Sequence, residues 1–279
     1  MLHIHFRGNM DFWDPMLLLG LSEKHWVIVF DPAGVGRSSG TVPSNYQGWA
    51  DNLIAFVDAL SYSKIDLLGF SMGGSVAQMV ALTRPELVRK MVLCGTGPSQ
   101  PADLIPGIIW PREMAPQQPI ARFAAAQTKE EMEAAIAFAF FPDSERGRKD
   151  ARHYLQRIHD ARDEAEEPGF IKLTDAETTE KQKQPTADWN RHNSHNSFDR
   201  LHDLQCNVLI LNGNEDKVIP TSRSWELMRL IPNAQLTVYP QSGHGFLWQY
   251  PEKVAHDIND FLDNHRTDFL DDEFSDISD

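Results

Sequence analysis

Cysteine and positive charge are both scarce in this chain. The two cysteines, Cys94 and Cys206, are too few for a disulfide framework, so we expect a reduced, cytoplasmic compartment. The 26 lysines and arginines are outnumbered by 40 aspartates and glutamates, which gives a formal net charge of −14. A nucleic-acid-binding protein needs a basic surface to neutralise phosphates, so this class of partner is excluded.

Long apolar runs are absent as well. Runs such as residues 16–19 and 134–141 are far too short to span a bilayer, and no apolar leader precedes the first strand-like segment. Membrane partners are therefore not expected. Hydrophobic residues still make up 41% of the 279 residues, enough for a sizeable core. Acidic residues crowd the last stretch, and residues 266–279 are predicted to form a disordered tail.

Short apolar runs alternate with segments of helical period along most of the chain. This alternation predicts an α/β fold, with a mostly parallel sheet flanked by crossover helices. The predicted strands are residues 2–6, 27–30, 65–70, 91–94, 208–211 and 236–239. Their continuous apolar character is typical of strands buried on both faces.

The alternation stops between residues 98 and 197. Helical and polar sequence replaces the strands there, and about 100 residues is too long for a connecting loop. We predict a helical cap at 98–197, inserted into a core formed by residues 1–97 and 198–265. Its aromatic residues either line a substrate pocket or pack the cap helices on one another; they are Trp110, Phe123, Phe138, Phe140 and Phe141.

The strongest chemical signal is a tight turn between a strand and a helix. It reads Gly69-Phe70-Ser71-Met72-Gly73 and joins the predicted strand at 65–70 to a helical segment at 75–82. Such a turn exposes the serine hydroxyl at the carboxyl end of its strand. The N-terminus of the following helix supplies N–H groups and a positive partial charge near a developing oxyanion. Ser71 is therefore the predicted nucleophile.

A serine nucleophile needs a base, and the base needs an orienting carboxylate. The predicted strand at 208–211 runs into a loop that carries two acids, Glu215 and Asp216. His244 follows a further helix and strand. Each of these residues lies beyond the carboxyl end of a strand, where open α/β sheets build their sites. His244 is the predicted base, and both acids are candidates for its partner.

These motifs together resemble the α/β-hydrolase superfamily, especially its cap-bearing esterase, non-haem haloperoxidase-like and enol-lactonase branch. The resemblance rests on the glycine-rich segment at 31–38, the turn around Ser71, Asp216 four residues before Pro220, and Ser242-Gly243-His244. The spacing to the proline favours Asp216 over Glu215 as the acid of the triad.

The resemblance also implies an oxyanion hole made of two backbone N–H groups. One belongs to Met72, the residue after the nucleophile. The other belongs to a His-Gly-X turn after the first long strand, where this chain has Ile4, His5 and Phe6. Phe6 is then the second donor, although a residue other than glycine at position 5 restricts the backbone. A register shifted by one residue makes Arg7 the donor.

The function implied by the resemblance is serine-dependent hydrolysis of a small or medium carboxylic ester or lactone. No cofactor is implied, and a metal site at His192 and His195 is disfavoured because no third ligand accompanies them. Two alternatives use the same triad, namely cofactor-free perhydrolysis of the haloperoxidase type and hydrolysis of a carbon–carbon bond. A third is a catalytically impaired binding protein on the same scaffold.

The start of the chain departs from similar hydrolases. Those proteins carry a β-hairpin before the first long strand, whereas this sequence begins at Met1 almost inside that strand. We expect the hairpin to be missing and the predicted strand at 27–30 to lie at an open sheet edge. An unpaired, uncharged edge invites self-association.

Overall fold

The computed structural model of the protein describes residues 1–102, 117–161 and 174–264. Its sheet has five parallel strands in the order β1-β2-β3-β4-β5. The strands are β1 (Leu2–His3), β2 (Ile65–Phe70), β3 (Val88–Cys94), β4 (Asn207–Gly213) and β5 (Ala234–Tyr239). This arrangement confirms the predicted α/β class.

Both faces of the sheet are buried. In β2, for example, Leu67 belongs to one apolar cluster, whereas Leu68 and Phe70 belong to the other. Successive side chains of a strand point to opposite faces, so a continuous apolar run fills two cores at once. Because strands buried on both faces need continuous apolar runs, the central strands could be predicted from the sequence.

The sequence explains where some of the helices begin. Those outside residues 98–197 are α1 (Pro15–Ser22), α2 (Tyr46–Ala59), α3 (Met72–Thr83), α8 (Thr221–Leu230), α9 (Phe246–Gln249) and α10 (Pro251–Asp263). The side chain of Asn45 accepts the Gly48 N–H and so caps α2. Pro251 occupies the first turn of α10, where its missing N–H is harmless.

Two predicted strands differ from the structure at one edge of the sheet. The strand predicted at 2–6 is shortened to Leu2–His3, because the chain turns away and Arg7 adopts a φ of 59°. The strand predicted at 27–30 is wrong as a full strand. Its pairing is a single parallel bridge between Val29 and Leu2, supported by the Leu2 N–H to Ile28 carbonyl bond of 3.0 Å. A two-residue neighbour offers too few groups for a longer ladder.

The described residues between β3 and β4 form helices and no strand. The helices are α4 (Gln117–Ala125), α5 (Lys129–Phe140), α6 (Glu145–Asp160) and α7 (Ala176–Trp189). An ion pair of 2.5 Å between Arg157 of α6 and the buried Asp14 before α1 joins this region to the core. The division into core and cap stays a prediction, and Trp110 and the predicted tail lie outside the described residues.

Two further observations concern the environment of the chain. Cys94, at the end of β3, and Cys206, just before β4, are both free and buried. Since β3 and β4 are parallel neighbours, these thiols lie at opposite ends of the sheet. None of the helices in the described ranges combines the length and apolar character that a bilayer crossing requires.

Candidate active site

Ser71 lies in a strained turn between β2 and α3. Its backbone has φ 56° and ψ −118°, a conformation that residues with a side chain seldom adopt. The Ser71 N–H donates to the Cys94 carbonyl over 2.8 Å, which ties the turn to β3. A side chain at Gly69 would collide with the Gly73 carbonyl, and one at Gly73 with the His3 carbonyl. Both glycines are therefore required by the close approach of helix and strands.

His244 and Asp216 form a buried hydrogen-bonded pair. The Nδ1 atom of His244 lies 2.7 Å from Oδ2 of Asp216, and both side chains are fully buried. The other carboxylate oxygen of Asp216 accepts the N–H groups of Val218 and Ile219, each over 2.8 Å. A carboxylate can only accept, so the proton of this bond belongs to Nδ1 of His244. Nε2 is then left as the acceptor of the ring.

The structure separates the two acids that the sequence left as candidates. Asp216 contacts His244, whereas the side chain of Glu215 is exposed and its backbone N–H bonds the Ser242 carbonyl. The Nε2 atom of His244 is buried and has no hydrogen-bonding partner within the described part of the chain. A histidine nitrogen in this state is available to a group that enters the site.

Ser71 and His244 line one cavity of about 960 Å³, together with Met72, Phe6 and His5. This volume is at the upper end of the range for small-molecule sites. Other parts of its wall are apolar and come from the helices between β3 and β4 and from the loop after Asp216. They include Ile120, Phe123, Phe140, Trp189, Val218 and Ile219.

The backbone N–H groups predicted as oxyanion donors differ in their hydrogen bonding and in their position relative to the cavity. Met72 is the first residue of α3, so its N–H has no acceptor inside the helix. Phe6 lines the same cavity. The N–H of Arg7 donates to Oε1 of Gln182 over 2.8 Å, so the donor of the shifted register is already bonded.

His5 is a site residue whose contacts the sequence did not reveal. It is buried among the rings of Phe12, Phe70, Phe123, Phe140 and Trp248. Its Nδ1 lies 2.8 Å from the Phe6 carbonyl, which requires the proton on Nδ1. Burial lowers the pKa of His5 to about 3, against a smaller opposing effect of the Phe6 bond. His5 is therefore neutral at ordinary pH.

The aromatic residues predicted for the pocket divide into two groups. Phe123 and Phe140 line the cavity. Phe141 is buried against Tyr154 and Trp248, and the partly exposed Phe138 lies under the Arg122 guanidinium. Of the two alternatives for these aromatic residues, packing between helices therefore applies to Phe141.

The histidines considered as a metal pair are on the surface. His192 Nε2 lies 3.1 Å from Asp199 Oδ2, and both side chains are exposed. His195 is exposed as well. Within residues 1–102, 117–161 and 174–264, no three potential metal ligands come together.

Comparison with known proteins places this geometry in a family. The chain is 26% identical over 261 residues to a Caulobacter protein named "Putative carbamate hydrolase RutD", covering 91% of this chain and 87% of the relative. It is 28% identical over 247 residues to 2-hydroxymuconate semialdehyde hydrolase from Pseudomonas putida, covering 86% and 78%.

Solved structures and the family model agree with these relatives. An alpha/beta hydrolase fold protein from Chitinophaga pinensis superimposes with a TM-score of 0.79 and 29% identity, covering 95% of this chain and 88% of that one. The model of the alpha/beta hydrolase fold family matches residues 6–251. The chain therefore belongs to the alpha/beta hydrolase fold family and is a hydrolase.

Proposed function

We propose that this hydrolase cleaves a small or medium carboxylic ester or lactone through a Ser71–His244–Asp216 triad and an acyl-enzyme. The observation that carries the proposal is the buried bond between His244 and Asp216, which leaves Nε2 as an acceptor in the wall of the cavity that Ser71 also lines. A base with this tautomer can take the hydroxyl proton of a serine.

The mechanism follows from the groups present. Nε2 of His244 removes the proton of Ser71 as the serine oxygen attacks the substrate carbonyl. The N–H groups of Met72 and Phe6 stabilise the oxyanion, and Asp216 stabilises the imidazolium. His244 then gives its proton to the leaving alcohol. A water activated by His244 hydrolyses the acyl-enzyme and regenerates Ser71.

The cavity supports an acyl group of more than a few carbons. About 960 Å³ exceeds what an acetyl ester fills, and much of the lining is aliphatic or aromatic. A polar portion of the wall includes Thr96, Asn190 and Arg223, which suits an oxygen-bearing alcohol or lactone ring. We therefore favour medium acyl chains and lactones over acetyl esters.

A second candidate is hydrolysis of a carbon–carbon bond. The relative from Pseudomonas putida is named for a semialdehyde, a compound with neither an ester nor an amide bond to hydrolyse. The same triad would serve such a carbonyl substrate, whose departing carbon leaves as a stabilised carbanion and takes up the proton held by His244. Perhydrolysis would need only hydrogen peroxide in place of water at the acyl-enzyme.

The experiment is an activity screen joined to covalent labelling. A fluorophosphonate probe should label the wild-type protein at Ser71, and p-nitrophenyl esters of two to ten carbons, lactones and carbamates should identify the substrate class. Ser71→Ala should lose the label and about a million-fold in turnover, with an unchanged circular dichroism spectrum. Labelling at another residue, or retention of more than a few per cent of the activity, would show that the nucleophile is wrong. A folded wild-type protein that is neither labelled nor active would favour the binding-protein alternative.

Location and partners complete the proposal. We place the protein in the cytoplasm, because two free, buried thiols at opposite ends of the sheet are consistent with a reduced compartment. The substrate is a small molecule. Self-association is proposed at the sheet edge formed by residues 27–30.

A further inference from the structure

The peptide bond between Phe6 and Arg7 is held on both of its polar groups. Its carbonyl, on Phe6, accepts from Nδ1 of His5 over 2.8 Å. Its N–H, on Arg7, donates to Oε1 of Gln182, also over 2.8 Å. Gln182 belongs to α7 and is buried, so the contact joins the loop after β1 to a helix 175 residues further along the chain. The peptide that follows Phe6 is thus held partly from outside its own loop. The Phe6 N–H itself belongs to the preceding His5–Phe6 peptide, whose carbonyl accepts from the Gly8 N–H over 3.0 Å.

The Arg7 side chain makes a second connection to the same region. Its guanidinium donates to the carbonyls of Phe123, Ala124 and Ala126, over 2.6, 3.0 and 2.9 Å. Those carbonyls lie at and just beyond the C-terminus of α4, where the helix dipole favours a positive charge. A further bond of 3.2 Å reaches Oγ1 of Thr174, ahead of α7. Arg7 is 2% exposed, so these bonds are shielded from water.

The backbone of Arg7 is in a strained conformation. Its φ of 59° lies in the left-handed region, which disfavours residues with a side chain. A strained conformation persists only where surrounding contacts over-determine it. Here the contacts come from α4, α7 and His5, and the residue they fix directly follows the proposed oxyanion donor Phe6.

We propose that Arg7 and Gln182 are positioning residues, which hold the peptide after Phe6 and thereby fix the backbone of Phe6, whose N–H is the proposed oxyanion donor. The inference rests on the proposed function, since it assigns Phe6 a role in stabilising the oxyanion. Its consequence is that loss of either contact lets the backbone of Phe6 rotate, so that the Phe6 N–H is no longer aimed at the oxyanion.

The test separates transition-state stabilisation from substrate binding. Gln182→Met removes the acceptor of the Arg7 N–H, whereas Gln182→Glu keeps an oxygen at that place. Loss of one oxyanion donor costs about 100- to 1,000-fold in kcat, and a misplaced donor should cost somewhat less. We expect Gln182→Met to lower kcat about 10- to 100-fold with KM changed less than threefold, and Gln182→Glu to recover most of the loss.

A trifluoromethyl ketone provides the second readout, because its hemiketal oxyanion occupies the hole. Its inhibition constant should rise in Gln182→Met by the same factor by which kcat/KM falls. Arg7→Gly accepts the backbone conformation but loses the guanidinium, and it should show the same pattern. Lys181→Ala, an exposed neighbour on α7 that pairs with Glu177, should change neither quantity.

A control variant for a general loss of stability uses a different contact. Arg157→Met breaks the ion pair between α6 and Asp14, and it removes none of the hydrogen bonds of Phe6, Arg7 or Gln182 described above. All variants are assayed at least 10 degrees below their melting temperatures. If Gln182→Met and Arg7→Gly lose stability like Arg157→Met but keep kcat, the proposal is overturned. The proposed function has its own criterion, because Ser71→Ala would still be inactive in that case.

Discussion

Asp216 meets the Nδ1 atom of His244 at 2.7 Å, with both side chains fully buried. The carboxylate is itself fixed by the N–H groups of Val218 and Ile219. An ion pair between exposed side chains contributes little because water screens it, whereas this contact is shielded and supported by additional donors. The pair therefore fixes both the orientation and the tautomer of the imidazole.

Asp216→Asn should lower kcat by about 10,000-fold, because an amide nitrogen facing Nδ1 favours the tautomer that cannot act as the base. Glu215→Gln is the matched control, since Glu215 is the adjacent acid and its side chain is exposed. It should retain wild-type activity. The kcat of each variant is measured by steady-state kinetics with the best ester substrate from the activity screen. Equal losses in the two variants would contradict the assignment of the acid.

The rate should depend on pH through His244. The value of kcat/KM should fall on acidification, because a protonated ring cannot accept the Ser71 proton. His5 is excluded as the origin, since burial lowers its pKa to about 3. His5→Asn should therefore leave the midpoint of the profile unchanged, whatever it does to the rate. A flat wild-type profile would count against His244 as the base.

Stability should fall on acidification because of His3. Burial lowers the pKa of His3 in the folded protein from 6.5 to about 4, opposed by the smaller effect of its bond to the Ile4 carbonyl. Between these two values the unfolded chain binds a proton that the folded protein does not. The stabilisation is complete above pH 6.5 and is lost as the pH falls toward 4, by at most about 1.4 kcal/mol per pH unit.

The measurement for His3 is a comparison of slopes. Urea unfolding at several pH values between 4 and 7 should show a shallower dependence of the free energy of unfolding in His3→Asn than in the wild type. The carboxylates that titrate in the same range are common to both proteins and cancel. Identical slopes would show that His3 binds protons equally in the folded and unfolded states, which contradicts the lowered pKa.

Local sequence patterns predicted the centre of the fold well. The strand at 65–70 and the turn at Ser71 follow from a short apolar run that meets glycines, because burial on both faces and close packing each demand particular residues nearby. Strand order predicted that His244 would meet Glu215 or Asp216, since the carboxyl ends of parallel strands lie at one edge, and the resemblance to known hydrolases favoured Asp216. Structural features that depend on residues close in sequence could thus be predicted from local patterns.

Contacts between distant residues could not be predicted in this way. The bond from the Arg7 backbone to Gln182 spans 175 residues, and neither residue belongs to a periodic pattern. His5 was seen only as a replacement for a glycine, whereas the structure gives it a bond to the Phe6 carbonyl. Residues 27–30 have the composition of a strand, but pairing depends on a neighbour, and β1 supplies one bridge.

The edge formed by residues 27–30 leads to the last prediction. Val29 bridges Leu2 on one side, and within the described residues no strand lies beyond it on the other. The adjoining Trp26 is 96% exposed. Uncharged, β-prone residues with free N–H and C=O groups favour pairing with a second chain. We expect the protein to associate with rising concentration, by contact between two such edges.

Light scattering coupled to size-exclusion chromatography tests this prediction over a hundredfold range of concentration. Trp26→Lys places a charge beside the edge at a side chain that contributes little to the core, so it should shift the protein toward monomer without lowering its melting temperature. Trp225→Lys is the control, because Trp225 is 54% exposed on α8, which packs on β4 and β5 at the other end of the sheet. A wild type that stays monomeric throughout would show that the edge is protected. An interface at the edge formed by residues 27–30 predicts that Trp26→Lys dissociates the protein and Trp225→Lys does not. Dissociation by Trp225→Lys alone would instead place the interface at α8.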